Sequence, residues 1–169
     1  MYSDWHALFV LTGEEENVKK RLEYRFREGY RIMVPKRKLR ERKNGNWYIA
    51  TRVLFPGYVI MEGNIDAHAY YRMKDVPGLL RLLRSGLEFA GIEEREMLTL
   101  SKLVSNGDEI GISTALMENG RVRIVDGPLC CLEGIIQQIN ARKGRAKVRL
   151  NFLGEERIVD LGISLLSSA

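Results

Sequence analysis

From residue 120 onward the chain is cut into short pieces by turns, and that spacing leaves room for strands and little else. Gly127-Pro128, Lys143-Gly144 and Leu153-Gly154 punctuate four runs of strand character, at residues 122–125, 134–138, 147–150 and 156–161. Turn signals at intervals of about eight to twelve residues predict a small β-barrel. Gly134 opens the second run, where a residue without Cβ lets a barrel strand bend sharply.

The first hundred residues follow a different rhythm. Residues 5–11, Trp-His-Ala-Leu-Phe-Val-Leu, are short, bulky and apolar, as a buried strand requires. Thr12-Gly13 ends the run, and Glu14-Glu15-Glu16 then puts negative charge where the start of a helix favours it. Val18, Leu22 and Phe26 recur at helical spacing, with Gly29 as the stop. A short strand is expected over 31–35. The basic segment 36–46 follows, its Asn44-Gly45 a strong hairpin signal, and the chain returns as a strand over 47–54. Phe55-Pro56-Gly57 turns into a central strand at 58–61. A helix over 66–74 is broken by Val76-Pro77-Gly78, and residues 79–83 make a further strand. Glu93-Glu94-Arg95-Glu96 opens a third helix through Met97, Leu100 and Leu103. The order β-α-β-β-β-α-β-α predicts an α+β domain, an antiparallel sheet flanked by helices. Residues 105–116, small and polar with two glycines, read as a linker. The expected division is residues 1–104, a linker over 105–116, and the barrel over 117–169.

Charge is distributed unevenly. Residues 31–52 hold Arg31, Lys36, Arg37, Lys38, Arg40, Arg42, Lys43 and Arg52 against Glu41 alone, in a chain whose net charge is +5. Such a cluster attracts phosphates in a salt-dependent way. Trp47 and Tyr48, inside it, offer faces on which bases stack. A second cluster, Arg142-Lys143-Gly144-Arg145-Ala146-Lys147-Val148-Arg149, surrounds the glycine turn of the barrel, and Arg121 and Arg123 add to it.

Other classes of function find little support. Neither Gly-x-x-x-x-Gly-Lys nor Gly-x-Gly-x-x-Gly occurs, and His6 and His68 lack cysteine or histidine neighbours at ligand spacing. An enzyme, a bound metal and a cofactor are therefore not expected. Cys130 and Cys131 are adjacent and cannot staple distant segments, so a buried or half-buried apolar role is expected for them. No apolar run reaches membrane-spanning length, and the N-terminus has no signal-peptide pattern, which points to a cytoplasmic protein. A monomer is expected.

Motifs narrow the reading. Gly120-Arg121-Val122-Arg123-Ile124-Val125-Asp126-Gly127-Pro128 followed by Gly134-Ile135-Ile136 resembles a KOW motif. Trp5, Thr12-Gly13-Glu14-Glu15, Phe55-Pro56-Gly57-Tyr58-Val59 and Val76-Pro77-Gly78 resemble, in order and spacing, the N-terminal domain of NusG proteins. One such domain, a linker and one KOW domain cover essentially the whole chain. The resemblance implies an α+β N-terminal (NGN) domain that docks on the clamp helices of RNA polymerase. It also implies an SH3-like β-barrel KOW domain that recruits further partners. Trp5, Phe55, Pro56, Gly57, Tyr58 and Tyr70 become the candidate polymerase-binding residues. Lys36, Arg37, Lys38, Arg40, Arg42, Lys43, Arg121, Arg123, Arg142, Lys143, Arg145 and Lys147 become the candidate RNA-binding residues. Phe152, Leu153 and Gly154 match the barrel loop through which the family meets a ribosomal protein or another factor.

The chain also departs from the housekeeping pattern. Asp75-Val76 stands where housekeeping members often carry a polar pair that contacts DNA, and Glu155 reverses a positive charge in the barrel loop. These departures and the enlarged basic hairpin resemble the specialised LoaP antiterminators, whose relatives recognise a structured leader RNA hairpin. The alternative is a housekeeping factor that modulates pausing, Rho-dependent termination or coupling to translation.

Overall fold

The computed structural model describes residues 1–82, 84–85, 88–89, 91–105 and 107–166. In chain order the elements are β1 (Tyr2–Val10), α1 (Glu15–Arg25), β2 (Arg31–Met33), β3 (Lys36–Lys43), β4 (Asn46–Val53), β5 (Tyr58–Glu62) and α2 (Ala67–Met73). They continue as β6 (Leu79–Leu82), β7 (Arg84–Ser85), β8 (Glu88–Phe89), β9 (Gly91–Glu93) and α3 (Glu94–Leu103). The rest are β10 (Glu109–Ile110), β11 (Ser113–Glu118), β12 (Arg121–Asp126), β13 (Ile136–Asn140), β14 (Arg145–Phe152) and β15 (Glu155–Leu166). Leu83, the last residue of one expected strand, Asn106 in the expected linker, and the final three residues of the expected barrel domain lie outside the described residues.

Contacts divide the chain into two units. The first comprises Met1–Pro35 with Phe55–Met97, and the second Lys36–Leu54 with Leu98–Ala169. In the first, β1 is the centre of an antiparallel sheet of order β2-β5-β1-β6, with β9 also paired to β1. Strand alternation sends Leu8, Val59 and Met61 to one face, all fully buried, and α1, whose Val18 and Leu22 are also fully buried, packs against β5 and β2. The N-cap residue of α1, Glu14, makes no side-chain capping bond. A cap is worth about 1 kcal/mol, whereas burying one side chain of this size contributes about 1.5–3 kcal/mol. Tertiary burial therefore holds α1 in place.

The second unit contains two sheets. β3 and β4 form a hairpin whose turn, Asn44-Gly45, is left-handed at both residues (φ 51° and 79°), the geometry that matches strand twist. β10 adds to β3 in parallel, Ile110 opposite Arg37. The five remaining strands form a curled sheet of order β12-β11-β15-β14-β13, as expected of an SH3-like barrel. Its centre is built from alternating residues of β14, Ala146, Val148, Leu150 and Phe152, packed with Leu161, Ile163 and Leu129.

Three expectations need correction. The stretch expected as a linker carries β10 and the start of β11, because Ile110, Ser113 and Ala115 are buried and alternate like strand residues. Gly134 lies in a 3-10 turn (Glu133–Ile135) with open space around it, so it does not bend a strand. Gly127 is the glycine that this part of the motif needs. Its φ is +94°, and a Cβ there would come within 2.6 Å of the Ser113 backbone. Cys130 and Cys131 are exposed rather than buried. Their turn instead seats Leu129 in the core, pinned by a bond from its N–H to the Ser113 hydroxyl (2.9 Å).

A candidate nucleic-acid groove and an aromatic face

The basic hairpin divides into an inner half that is spent on structure and an outer half that is not. Lys36 pairs with Asp108 at 3.8 Å and Lys38 with Glu109 at 3.4 Å, both acids lying at β10. Arg37 is partly buried beside Asp160, and burial pulls its pKa below the ordinary arginine value. The outer cations Arg40, Arg42 and Lys43 have no carboxylate partner among the described residues. Glu41, the hairpin's one acid, is turned to Arg52, which donates to it at 2.6 and 2.9 Å, and to the Tyr48 hydroxyl at 3.1 Å. The Arg52 bond first, with further help from Tyr48, holds the Glu41 carboxyl at about 2. Register places Arg42 opposite Trp47 and Arg40 opposite Ile49, on the side of the ribbon away from Glu41. Both guanidinium groups lie over the Trp47 ring, 5.1 Å and 5.8 Å from its centroid.

Within the same unit β15 approaches this hairpin very closely. A Cβ on Gly162 would sit 2.5 Å from the Lys38 carbonyl oxygen, so only glycine allows the two backbones to meet there. Gly144, left-handed at φ +67°, folds the β13–β14 turn back so that its carbonyl accepts from the Ile163 N–H at 3.0 Å. A groove of about 530 Å³ results, lined by Arg40, Arg42 and Trp47 on one wall and by Asn140, Lys143 and Arg145 on the other, with Lys147 and Asp160 beyond them. Arg145 and Lys147 share Asp160, each at 3.6 Å. Lys143 has no acid partner among the described residues.

The groove thus gathers Arg40, Arg42, Lys143, Arg145 and Lys147 from the expected RNA-binding set. It does not gather Arg121 and Arg123, which stand on β12 at the other end of the sheet order, Arg123 paired with Glu118 at 3.3 Å. Arg142 is exposed on the β13–β14 turn but does not line the groove. Sequence reasoning passed over Gln138, Asn140, Asp160 and Gly162. One local signal was present: Asn140 precedes Ala-Arg-Lys-Gly, and its side chain accepts from the Lys143 N–H at 3.0 Å, as turn-forming asparagines do.

In the first unit the three motif turns converge on the start of α1. The Gly57 carbonyl accepts from Val10 N–H and the Gly78 carbonyl from Leu11 N–H, both at 2.9 Å. Glu15, only 3% exposed, accepts from the Gly13 N–H at 2.9 and 3.0 Å and from the Gly57 N–H at 3.2 Å. The charge expected to favour the helix start is therefore also a clasp on the Phe55-Pro56-Gly57 turn. Gly57 itself is left-handed at φ +86°.

The candidate aromatics have different surroundings. Phe55 is 4% exposed and belongs to the core. Tyr58 is half-buried in a row that crosses three strands, its ring 4.8 Å from Phe9, with the Arg81 guanidinium 4.6 Å from Phe9 on the far side. Register sets Trp5 on the same face of β1 as Phe9, beneath the Arg31 guanidinium at 5.8 Å. Pro56 is exposed, and Tyr70 lies half-buried on α2, 5.8 Å from the Tyr71 ring.

Two departures from the housekeeping pattern also gain physical detail. Asp75 is ion-paired with Arg25, which lowers its pKa, and Val76 is buried. In the barrel loop Phe152 is 2% exposed, and Leu153-Gly154 form the two left-handed residues of the β14–β15 turn (φ 57° and 76°).

Comparison with known proteins agrees with this architecture. A family described as transcription termination factor nusG matches residues 3–101. The transcription termination/antitermination protein NusG of Thermus thermophilus is 26% identical over 184 aligned residues, covering 100% of both chains. That of Bacillus subtilis is 28% identical, covering 95% of this chain and 96% of its own. A solved structure described as "Domain interaction in Thermotoga maritima NusG" is 27% identical, with a TM-score of 0.58, covering 94% of this chain and 93% of that one.

Proposed function

The chain belongs to the NusG family of transcription termination factors, and from that premise we propose that it is an elongation and antitermination factor that holds RNA polymerase with one surface and a structured leader RNA with another. The observation that carries the RNA half is the groove of five cations against Glu41 and Asp160, both of which already have basic partners. A surface with surplus fixed positive charge releases counterions when it takes phosphates, which makes binding steeply salt-dependent. In the polymerase half, the half-buried face of Trp5, Phe9 and Tyr58 receives the clamp helices, with Pro56 and Gly57 shaping its rim and Tyr70 on α2 as a further candidate contact. Aromatic anchors in such a face contribute about 2 kcal/mol or more each. Phe55 supports this face from within.

Among the branches of the family, the reading we favour is an antiterminator of the LoaP type. The exposed basic hairpin tip, and the acidic Asp75 where housekeeping members often carry a polar pair that contacts DNA, favour RNA over the DNA strand as the nucleic acid held. The polymerase surface we propose lies in the unit of residues 1–35 and 55–97, and the RNA groove in the unit of residues 36–54 and 98–169. A second reading, a housekeeping factor recruiting a ribosomal protein or Rho, rests on the Leu153-Gly154 turn as a docking tip.

Binding of the full chain to a panel of leader-hairpin RNAs, at two salt concentrations, tests the first reading. Arg42→Ala with Arg145→Ala is expected to weaken binding and to reduce the slope of log K against log salt by roughly 2. An unchanged slope would remove the groove as the RNA site. Read-through of a terminator downstream of the hairpin, in transcription with purified polymerase, separates antitermination from termination.

A further inference from the structure

The groove contains more than a phosphate site needs. Charged groups alone suffice to hold a nucleic-acid backbone, and they carry no sequence information. Here an indole forms part of one wall and two neutral amides, Gln138 and Asn140, stand among the cations facing it. Trp47 is 47% exposed, although a ring of that size gains from burial. Its plane is held by Arg40 and Arg42, whose guanidinium groups carry no carboxylate among the described residues. The amide of Asn140 is oriented by the Lys143 N–H, which occupies its oxygen and leaves its NH2 as a donor toward the groove. Primary amides bring both a donor and an acceptor to a base edge, whereas lysine and arginine bring donors only and also hold phosphates.

Size points the same way. The groove volume of about 530 Å³ lies in the range of roughly 300–1,000 Å³ that encloses small ligands, the class to which a single nucleotide belongs. A paired RNA stem offers its bases only edge-on and recessed, and proteins hold it by shape and backbone. Bases in loops and bulges present whole faces for stacking on aromatic rings and guanidinium planes.

We propose that the groove between the β3–β4 hairpin and the β13–β14 turn is a pocket for one unpaired nucleotide, its base stacked on the Trp47–arginine layer and read by Asn140 and Gln138, its flanking phosphates held by Lys143, Arg145 and Lys147. This rests on the RNA reading above and adds that the protein selects an unstacked base.

Binding of the full chain to a nine-residue oligoadenylate and to a blunt twelve-base-pair RNA duplex decides the matter. A single 2-aminopurine at the centre of the oligoadenylate reports stacking by its fluorescence. Trp47→Ala is expected to weaken the single strand about tenfold or more while changing duplex affinity less than about twofold. Trp47→Phe should recover most of the loss, and 2-aminopurine should be quenched by the wild-type chain and not by Trp47→Ala. The salt slope should stay the same in Trp47→Ala, because no charge is removed. Equal loss for both RNAs, or no loss for the single strand, overturns the nucleotide pocket while leaving RNA binding in place. Failure of the wild-type chain to bind either RNA in a salt-sensitive way removes the RNA reading itself and the pocket with it. Melting curves of each variant identify any loss that is simply unfolding, and Trp47→Phe keeps the test decisive if Trp47→Ala melts early.

Discussion

At the scale of single residues, side chains that look alike in the sequence have opposite uses. Glu41 is the one acid in the basic hairpin, and its pairing with Arg52 and Tyr48 holds its carboxyl at about 2, against an ordinary 4.5. Its folded pKa is depressed, so the stability it contributes is complete above the ordinary value and drains away as pH falls toward the folded one. Melting temperatures of wild type and Glu41→Gln are therefore expected to differ by a constant amount above about pH 5 and to converge as pH approaches 2. A gap that persists unchanged at low pH would mean that the pairing contributes through packing. Leu153 gives the reverse case. It is a branched residue at φ 57°, a conformation that costs an L-residue about 1–2 kcal/mol and that asparagine tolerates better. Leu153→Asn is expected to raise the denaturant midpoint of the protein, by up to about 1 kcal/mol in stability. A midpoint that falls would mean that packing of the half-buried leucine outweighs its backbone cost.

At the scale of elements, close approach of backbones decides which glycines matter. Gly162→Ala would drive a methyl group against the Lys38 carbonyl, so the β3–β4 hairpin must lift from β15. The expected cost is about 1–3 kcal/mol in chemical denaturation, with RNA binding weakened because one wall of the groove moves. Gly134→Ala, in open space, is expected to change stability by less than about 0.5 kcal/mol. The sequence pointed to the wrong member of that pair. Gly134 sits in the motif pattern, whereas the need at Gly162 arises from a strand more than a hundred residues away, which no local rhythm records. The elements themselves were legible where periodicity and turn chemistry agreed: β1, α1, the Asn44-Gly45 hairpin, α2 and the β14–β15 pair lie where the pattern put them, to within a few residues. β11 was missed because its glycine-flanked, small-residue stretch has linker composition, and its burial comes from β12 and β15 on either side. The groove was half legible. Its cations stood out as two separate runs, but their convergence, and the spending of Lys36 and Lys38 on acids at β10, depend on β10 pairing with β3.

At the scale of the whole molecule, the two proposed surfaces lie on different compact units. Changes confined to each should then act independently, as mutations without shared neighbours do. Tyr58→Ala is expected to weaken capture by purified RNA polymerase about tenfold or more, and to leave the RNA affinity and its salt slope as they were. Arg42→Ala should do the opposite. Phe55→Ala is unsuited to this comparison, since emptying a buried aromatic site costs about 3–5 kcal/mol and would unsettle the fold. The chain crosses from one unit to the other after Pro35, after Leu54 and after Met97. A gene split at residue 105 would thus deliver a barrel severed from the ribbon that leans on Gly162, and a front half whose ribbon has lost its companion. Engineers who want an isolated C-terminal piece would have to splice residues 36–54 onto it, and a protease nicking the middle of the chain would leave fragments still clasped together.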